Sequence, residues 1–104
     1  MERRWLDSLN IDKKYRNAFV KIDKKLYKFD AYIPETNTIY EFYGDFWHGN
    51  PNRFRGGINS RLNVSYEDLY KLTIEREKFL KQKGFNLISI WEDDYIKQIK
   101  NNKK

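Results

Sequence analysis

Two runs rich in aromatic and β-branched residues, LYKFDAYI and TIYEFY, flank Pro34-Glu35-Thr36-Asn37, an arrangement that leaves the segment little choice but a β-hairpin. Pro presets the backbone angle of a turn, and Asn tolerates the left-handed conformation that closes one. With Glu35 and Thr36 at the tip, the pairing places Asp30 directly across from Glu41. Opposed side chains share a face with Cβ atoms roughly 5 Å apart, where like charges destabilise the sheet. A divalent cation held between the two carboxylates would remove that cost. Tyr43, two residues beyond Glu41, projects from the same face. Gly44 then ends the strand and delivers Asp45, Phe46, Trp47 and His48.

Taken alone, Asp30 and Glu41 also fit a solvated face neutralised by lysines, and a one-residue slip would send them to opposite faces. Convergence separates the readings: Asp30, Glu41 and the chain's only histidine, His48, fall within nineteen residues of one hairpin.

At 104 residues the chain is long enough for one domain, 1–104, with a modest core. Trp, Tyr and Phe make up 17% of it, so few positions can fill that core while flat rings remain for stacking on bases. The lack of cysteine excludes disulfides and thiolate metal sites and fits an intracellular, cytoplasmic setting. No apolar run is long enough to span a bilayer and no signal-peptide pattern opens the chain, so no membrane role is expected. Lys and Arg number 21 against 15 Asp and Glu, a net charge of +6 that suits a polyanion. Nucleic acid is favoured over a membrane surface because no helix combines a basic face with a strongly apolar one.

Along the chain, ERRWLDSL (2–9) places Glu2, Trp5, Leu6 and Leu9 at helical spacing, so Glu2 points with the apolar stripe toward the body of the domain. An acid there is also what the helix dipole favours. Residues 10–17 read as a polar loop. AFVKID and LYKFDAYI are strands joined by a tight turn at Lys24-Lys25, and with TIYEFY they make a three-stranded antiparallel meander. Alternation in LYKFDAYI puts Tyr27, Phe29, Ala31 and Ile33 on one face and Asp30 on the other. The aperiodic stretch 49–63 is a long loop whose Arg53, Arg55 and Arg61 are suited to hold phosphates.

Ser65, with Asp68 three residues on, predicts the N-cap of a helix over 66–83 that stops at Gly84, with Leu69, Leu72, Arg76, Phe79 and Leu80 on its inner side. FNLISIW then forms a strand buried on both faces, parallel to TIYEFY through the crossover helix. From about Asp93 a short amphipathic helix carries Tyr95, Ile96 and Ile99 and ends in a disordered stretch at 101–104. The fold class is α/β.

This order of elements, with Asp30 on the second strand and Glu41 on the third, resembles the PD-(D/E)XK nuclease fold, a restriction-endonuclease-like core. Gly44-Asp45-Phe46-Trp47-His48, followed by the long helix and GFNLISIWE, is similar more specifically to the very-short-patch-repair endonucleases and the catalytic domains of some phage homing endonucleases. The similarity extends over nearly the whole chain. It implies that Asp30 binds metal, that His48 is catalytic, that Glu2 positions water or metal, and that the backbone carbonyl of Phe42 is a metal ligand. It also implies that Phe46 and Trp47 wedge into the base stack, and that a phage or other mobile element encodes the chain. Four departures stand out. Glu41 is the acid of the general motif, which the repair enzymes lack, and Tyr43 stands in the reaction centre where that motif carries Lys or His. The cysteines of the repair enzymes' structural zinc are missing, so no structural zinc is expected. Their later acid aligns nearest Thr73, with Glu75 and Glu77 close by.

The expected chemistry is therefore Mg²⁺-dependent hydrolysis of DNA phosphodiester bonds, by nicking or cleavage, with Mn²⁺ able to substitute. Asp30, Glu41 and the Phe42 carbonyl would hold the ion, His48 would take a proton from water, and the basic loop would grip the backbone. A domain this small has little room to read a long site, so a homodimer, a specificity-providing partner or DNA shape would set the target. Two alternatives come from other classes. One is a catalytically inactive nucleic-acid-binding module of the same fold, for which Tyr43 in place of Lys speaks. The other is a small protein-interaction domain that uses the aromatic run 40–47 as its contact surface.

Overall fold

The computed structural model describes residues 1–102. Helix α1 (Glu2–Ser8) buries Trp5 and Leu6, while Leu9, just past its end, is 40% exposed. The segment that follows is less polar in effect than in composition. Ile11 is buried with Trp5 and Leu6, and Asp12 caps a single 3-10 turn by accepting a hydrogen bond from Lys14 N at 2.9 Å. Strands β1 (Arg16–Ile22) and β2 (Lys25–Ile33) are joined by Asp23 and Lys24, at φ 50° and 70°. The turn thus sits one residue before Lys24-Lys25. A two-residue loop between paired Ile22 and Lys25 needs both central residues left-handed, and Asp adopts that conformation more readily than most.

Pro34 opens a 3-10 turn that Asn37 closes at φ 50°, and β3 (Thr38–Tyr43) follows. Asn37 is bonded on every side: Tyr32 Oη donates to its Oδ1 (2.7 Å), its Nδ2 donates to Gly84 O (3.0 Å), and its carbonyl accepts from Asn86 N (2.9 Å). The hairpin turn is thereby tied to the turn that follows the long helix.

Beyond β3 come α2 (Asp45–His48), a small ladder of β4 (Ile58–Asn59) with β5 (Val64–Ser65), α3 (Tyr66–Gln82), β6 (Asn86–Trp91) and α4 (Glu92–Asn102). Stretch 49–63 is consequently not all loop. Buried Asn59 holds it by donating to Phe46 O (2.8 Å) and accepting from Arg61 N and Leu62 N (2.9 and 3.0 Å). Helix α4 runs on through 101 and 102, where disorder is expected from the sequence; 103 and 104 lie outside the described residues.

Ser65 caps α3 by accepting from Asp68 N at 3.0 Å, and Gly84 (φ 93°) follows the helix end. Removing that acceptor by Ser65→Ala is expected to cost about 1 kcal/mol, a fall in Tm of about 5 °C by circular dichroism for a domain of this size.

The main sheet is mixed, in the order β1-β2-β3-β6, with the first three strands antiparallel and β6 parallel to β3. One core lies under α1 and α4, where Trp5, Leu6, Ile11 and Tyr95 pack on Ala31, Tyr40, Phe42 and Ile90; the other, under α3, joins Leu80 and Phe79 to Ile22, Phe29 and Ile39. Three expectations are corrected here. Tyr27 and Phe29 belong to the α3 core but Ala31 and Ile33 to the α1 core, so β2 changes phase at Asp30 instead of keeping all four on one face. Opposite this break, between the paired residues Arg16↔Ala31 and Ala18↔Phe29, Asn17 adopts φ 52°. In addition β6 is not buried on both faces. It is the edge strand, and Ile88 is 44% exposed. Leu72 likewise leaves the inner side of α3 and is 59% exposed. Among the described residues no helix is long and apolar enough to cross a membrane.

Candidate active site

The β2–β3 ladder pairs Ile33 with Thr38, Tyr32 with Ile39 and Ala31 with Tyr40, the register expected from the turn. The next pair, Asp30 and Glu41, replaces backbone bonds with side chains. Phe42 N donates to Asp30 Oδ2 at 2.7 Å, and Asp30 N donates to Glu41 Oε2 at 3.3 Å. Each acid thus satisfies an amide released where the strands part. The N–H and C=O of a strand residue project to the same neighbour, so the Phe42 carbonyl also faces this opening.

Glu2, at the start of α1, closes the group from the other side. Its carboxyl pKa is pushed up to about 7, first by a hydrogen bond with Asp30 and then by burial. Burial also raises Asp30, with Glu41 adding to the effect, and raises Glu41 against the opposing pull of Arg76. The three carboxyls are strung along the end of the hairpin rather than gathered round one point. Among the described residues no three His, Asp or Glu side chains form a ready-made ion cage.

Sequence spacing turns Arg76 of α3 inward but does not reveal its role. Its Nη2 lies 2.9 Å from Glu41 Oε1 and 3.1 Å from Lys28 O, its guanidinium covers the Phe29 ring at 5.2 Å, and its Nε is a buried donor with no partner. An unpaired buried N–H costs about 1–3 kcal/mol, so this donor invites an acceptor. Arg76 also lines a cleft of about 220 Å³ with Tyr43, Trp47, His48, Leu69, Leu72 and Thr73.

In that cleft the His48 ring lies tilted against Tyr43, centroids 4.9 Å apart, and its Nδ1 lies 3.0 Å from Thr73 Oγ1. Thr73 Oγ1 donates its single proton to Leu69 O at 3.0 Å. With that proton on Leu69 O, the hydroxyl accepts from His48 Nδ1–H, the tautomer that leaves the Nε2 lone pair free. Burial, then Arg76, lowers the His48 pKa, which keeps the ring neutral near pH 7. No hydrogen bond joins His48 to Asp30 or Glu41 among the described residues, and Arg76 is what links the cleft to the acids. Tyr43 Oη donates to Glu77 Oε2 at 2.8 Å, an oxygen that also accepts from Ser89 Oγ at 3.1 Å. Burial and Glu77 push the phenol pKa up, so Tyr43 orders this interface and carries no charge.

Phe46 packs among Phe54, Tyr66 and Trp47, whereas Trp47 is 51% exposed at the cleft. Of the loop arginines, Arg53 lies 3.5 Å from Asp93, while Arg55 and Arg61 are exposed and make no ion pair among the described residues. The segment behind His48 is built on buried polar groups that sequence reasoning missed. Asn50 Nδ2 donates to Asp45 Oδ1 (2.8 Å), and Asp45 N donates to Glu92 Oε1 (3.1 Å). The Asn residues that punctuate the loop were the available signal.

The chain is an α/β protein with a four-stranded mixed sheet, its acids at a strand opening and its histidine in an adjoining cleft. No family model, curated protein or solved structure matches it.

Proposed function

We propose that the chain is a metal-dependent endonuclease that hydrolyses DNA phosphodiester bonds on a restriction-endonuclease-like core. The observation that carries this is the opening of the β2–β3 ladder at Asp30 and Glu41, where Glu2 joins them and where, among the described residues, no lysine pairs with any of the three and Arg76 alone pairs with Glu41. The donors there are all oxygens, Asp30, Glu41, Glu2 and the Phe42 carbonyl, a set suited to Mg²⁺ or Mn²⁺. Bound by them, the ion would supply charge neutralisation at a phosphate oxygen.

The chain's own groups do the remainder. Neutral His48 accepts a proton at Nε2 from the attacking water, as the P–O bond to that water forms and the scissile P–O bond breaks. Arg76, a wall of the cleft, places positive charge beside Glu41, where Tyr43 brings none. Trp47 presents an exposed ring to the bases, and Arg55 and Arg61 are free to meet the backbone.

The test is nicking of supercoiled plasmid with Mg²⁺ or Mn²⁺ by the wild type and His48→Ala. Metal-dependent nicking that His48→Ala loses supports the assignment, and no cleavage with either metal ends it. Uncharged Tyr43 favours a second reading, a binding module without chemistry, which predicts DNA affinity that survives EDTA and no cleavage under any condition.

Thr73→Val should lower nicking about tenfold, as loss of a group orienting a reactive side chain does, while Thr73→Ser retains it. The pH profile checks the role. With metal at saturating concentration to keep Glu2, Asp30 and Glu41 ionised, the acid limb belongs to His48, whose pKa is depressed, so wild-type activity should persist below the ordinary imidazole value before falling as the pH drops further. In Thr73→Val the tautomer is no longer held, and the plateau rate falls.

A further inference from the structure

Past Asp30 the sheet splits: β3 stays beside β6 as far as Tyr43↔Trp91, while β1 and β2 run on together as a two-stranded ribbon. The β2–β3 ladder runs only from Ala31↔Tyr40 to Ile33↔Thr38, whereas β1 and β2 stay paired from Ala18↔Phe29 out to Ile22↔Lys25. The resulting ribbon packs one face on α3, with Ile22, Tyr27 and Phe29 against Phe79 and Leu80, and Lys83 holds its tip through an ion pair with Asp23. The other face carries Phe19, Lys21, Leu26 and Lys28, all exposed, Phe19 at 64% and Leu26 at 62%. On that side α1 covers the sheet at Ala31 and reaches only as far as Asp30, where Glu2 ends it.

The bare face has a definite pattern. Phe19 pairs with Lys28 and Lys21 with Leu26, so apolar and cationic groups alternate in a two-by-two patch. Between Ala18 and Phe29 there are four lysines and one acid, Asp23, which Lys83 already neutralises. Neither Lys21 nor Lys28 has an ion-pair partner among the described residues. Lys28 is close enough to Glu2 to act on its charge, which places the patch next to the acids.

We infer that the bare face of the β1–β2 ribbon is a nucleic-acid-binding surface. It lies along a duplex groove with Lys21 and Lys28 on phosphates and Phe19 and Leu26 against sugar and base edges, and it leads the strand to Asp30. A two-stranded ribbon matches the width of the DNA major groove. Charge complementarity selects the occupant: unpaired ammonium groups interleaved with apolar ones suit a polyanion with apolar sugar edges. A second copy of the chain would bring the same lysines face to face. Only the direction of the strand toward Asp30 rests on the nuclease proposal; the binding claim stands apart from it.

The test is fluorescence anisotropy with a labelled DNA duplex in EDTA, over a series of salt concentrations, so that cleavage plays no part. Lys21→Glu/Lys28→Glu is compared with Lys71→Glu/Lys78→Glu, which makes the same charge change on exposed positions of α3. For the ribbon pair we expect binding roughly 10–100-fold weaker at about 0.1 M salt, and a log–log salt slope smaller by about 2. The α3 pair should keep both near wild type. Phe19→Ser should weaken binding about tenfold without lowering Tm. Equal loss in both lysine pairs would show a nonspecific effect of net charge and overturn the inference, as would no loss in either. A change in oligomeric state on Phe19→Ser with DNA affinity intact would assign the face to a protein partner instead. A wild type that binds through the ribbon yet nicks nothing would remove the nuclease proposal and leave this one standing.

Discussion

Replacing Asp30 by Asn is expected to cut plasmid nicking at least about 100-fold, more than the loss of a supporting group around a metal site produces, while the fold survives. The amide keeps an acceptor oxygen for Phe42 N, so the junction where β2 and β3 part retains its bond. What disappears is the charge. Glu2 then loses the neighbour that raises its pKa to about 7, and its titration, followed by NMR, should fall toward the ordinary glutamate value. With one like charge fewer at the opening, Tm at neutral pH should hold or rise. A stable, inactive protein with a lowered Glu2 pKa is the signature. Wild-type nicking by Asp30→Asn would exclude Asp30 from the reaction.

Arg76→Met should produce the largest change in stability, about 2 kcal/mol at pH near 8 by chemical denaturation. Removing one partner of a fully buried pair costs about 3–5 kcal/mol. The figure is lower here because the Arg76 side chain is 36% exposed, although Glu41 is almost fully buried. The sign with pH follows from Glu41. Burial already raises its pKa and Arg76 opposes the rise, so the variant's folded state holds the proton more tightly than the unfolded chain does. A carboxyl whose pKa is raised on folding contributes stability below its unfolded value and loses that contribution as pH climbs through the folded one. The deficit of Arg76→Met against wild type should therefore be small near pH 4 and grow toward pH 8. Adding Glu41→Gln removes the stranded charge and should recover most of the loss. A pH-independent deficit would mean that Arg76 acts by packing on Phe29 alone.

How far these features could be read from residues alone depended on how local their causes are. Pro34 and Asn37 fix the hairpin register within four residues, and Ser65 and Gly84 mark the ends of α3 with equally local signals. The opposition of Asp30 and Glu41 followed from that register. The exchange of their carboxylates into the backbone did not, because it requires the strands to separate, and that is decided by α1 and α3 packing on opposite faces. The same competition shifts the phase of β2 between Phe29 and Ala31, where simple alternation carries straight on. Arg76 showed its side of the helix but not its partner on β3, and Thr73 gave no hint that it meets His48. The apolar run in β6 suggested burial on both faces, yet its place at the sheet edge exposes Ile88.

Asn37 has an effect at the far end of the sheet. Parallel strands lack a connecting turn to set their offset, and β3 and β6 must find theirs across the whole of α3. By clasping Gly84 and Asn86 as β6 begins, Asn37 starts that alignment with Thr38 beside Asn86, and each later rung then follows up to Tyr43 beside Trp91. Ser89 comes level with Glu41 for this reason, and Glu77 can grasp the Ser89 and Tyr43 hydroxyls together. A single amide at the hairpin tip thus works as an index pin for the larger part of the molecule, synthesised after it.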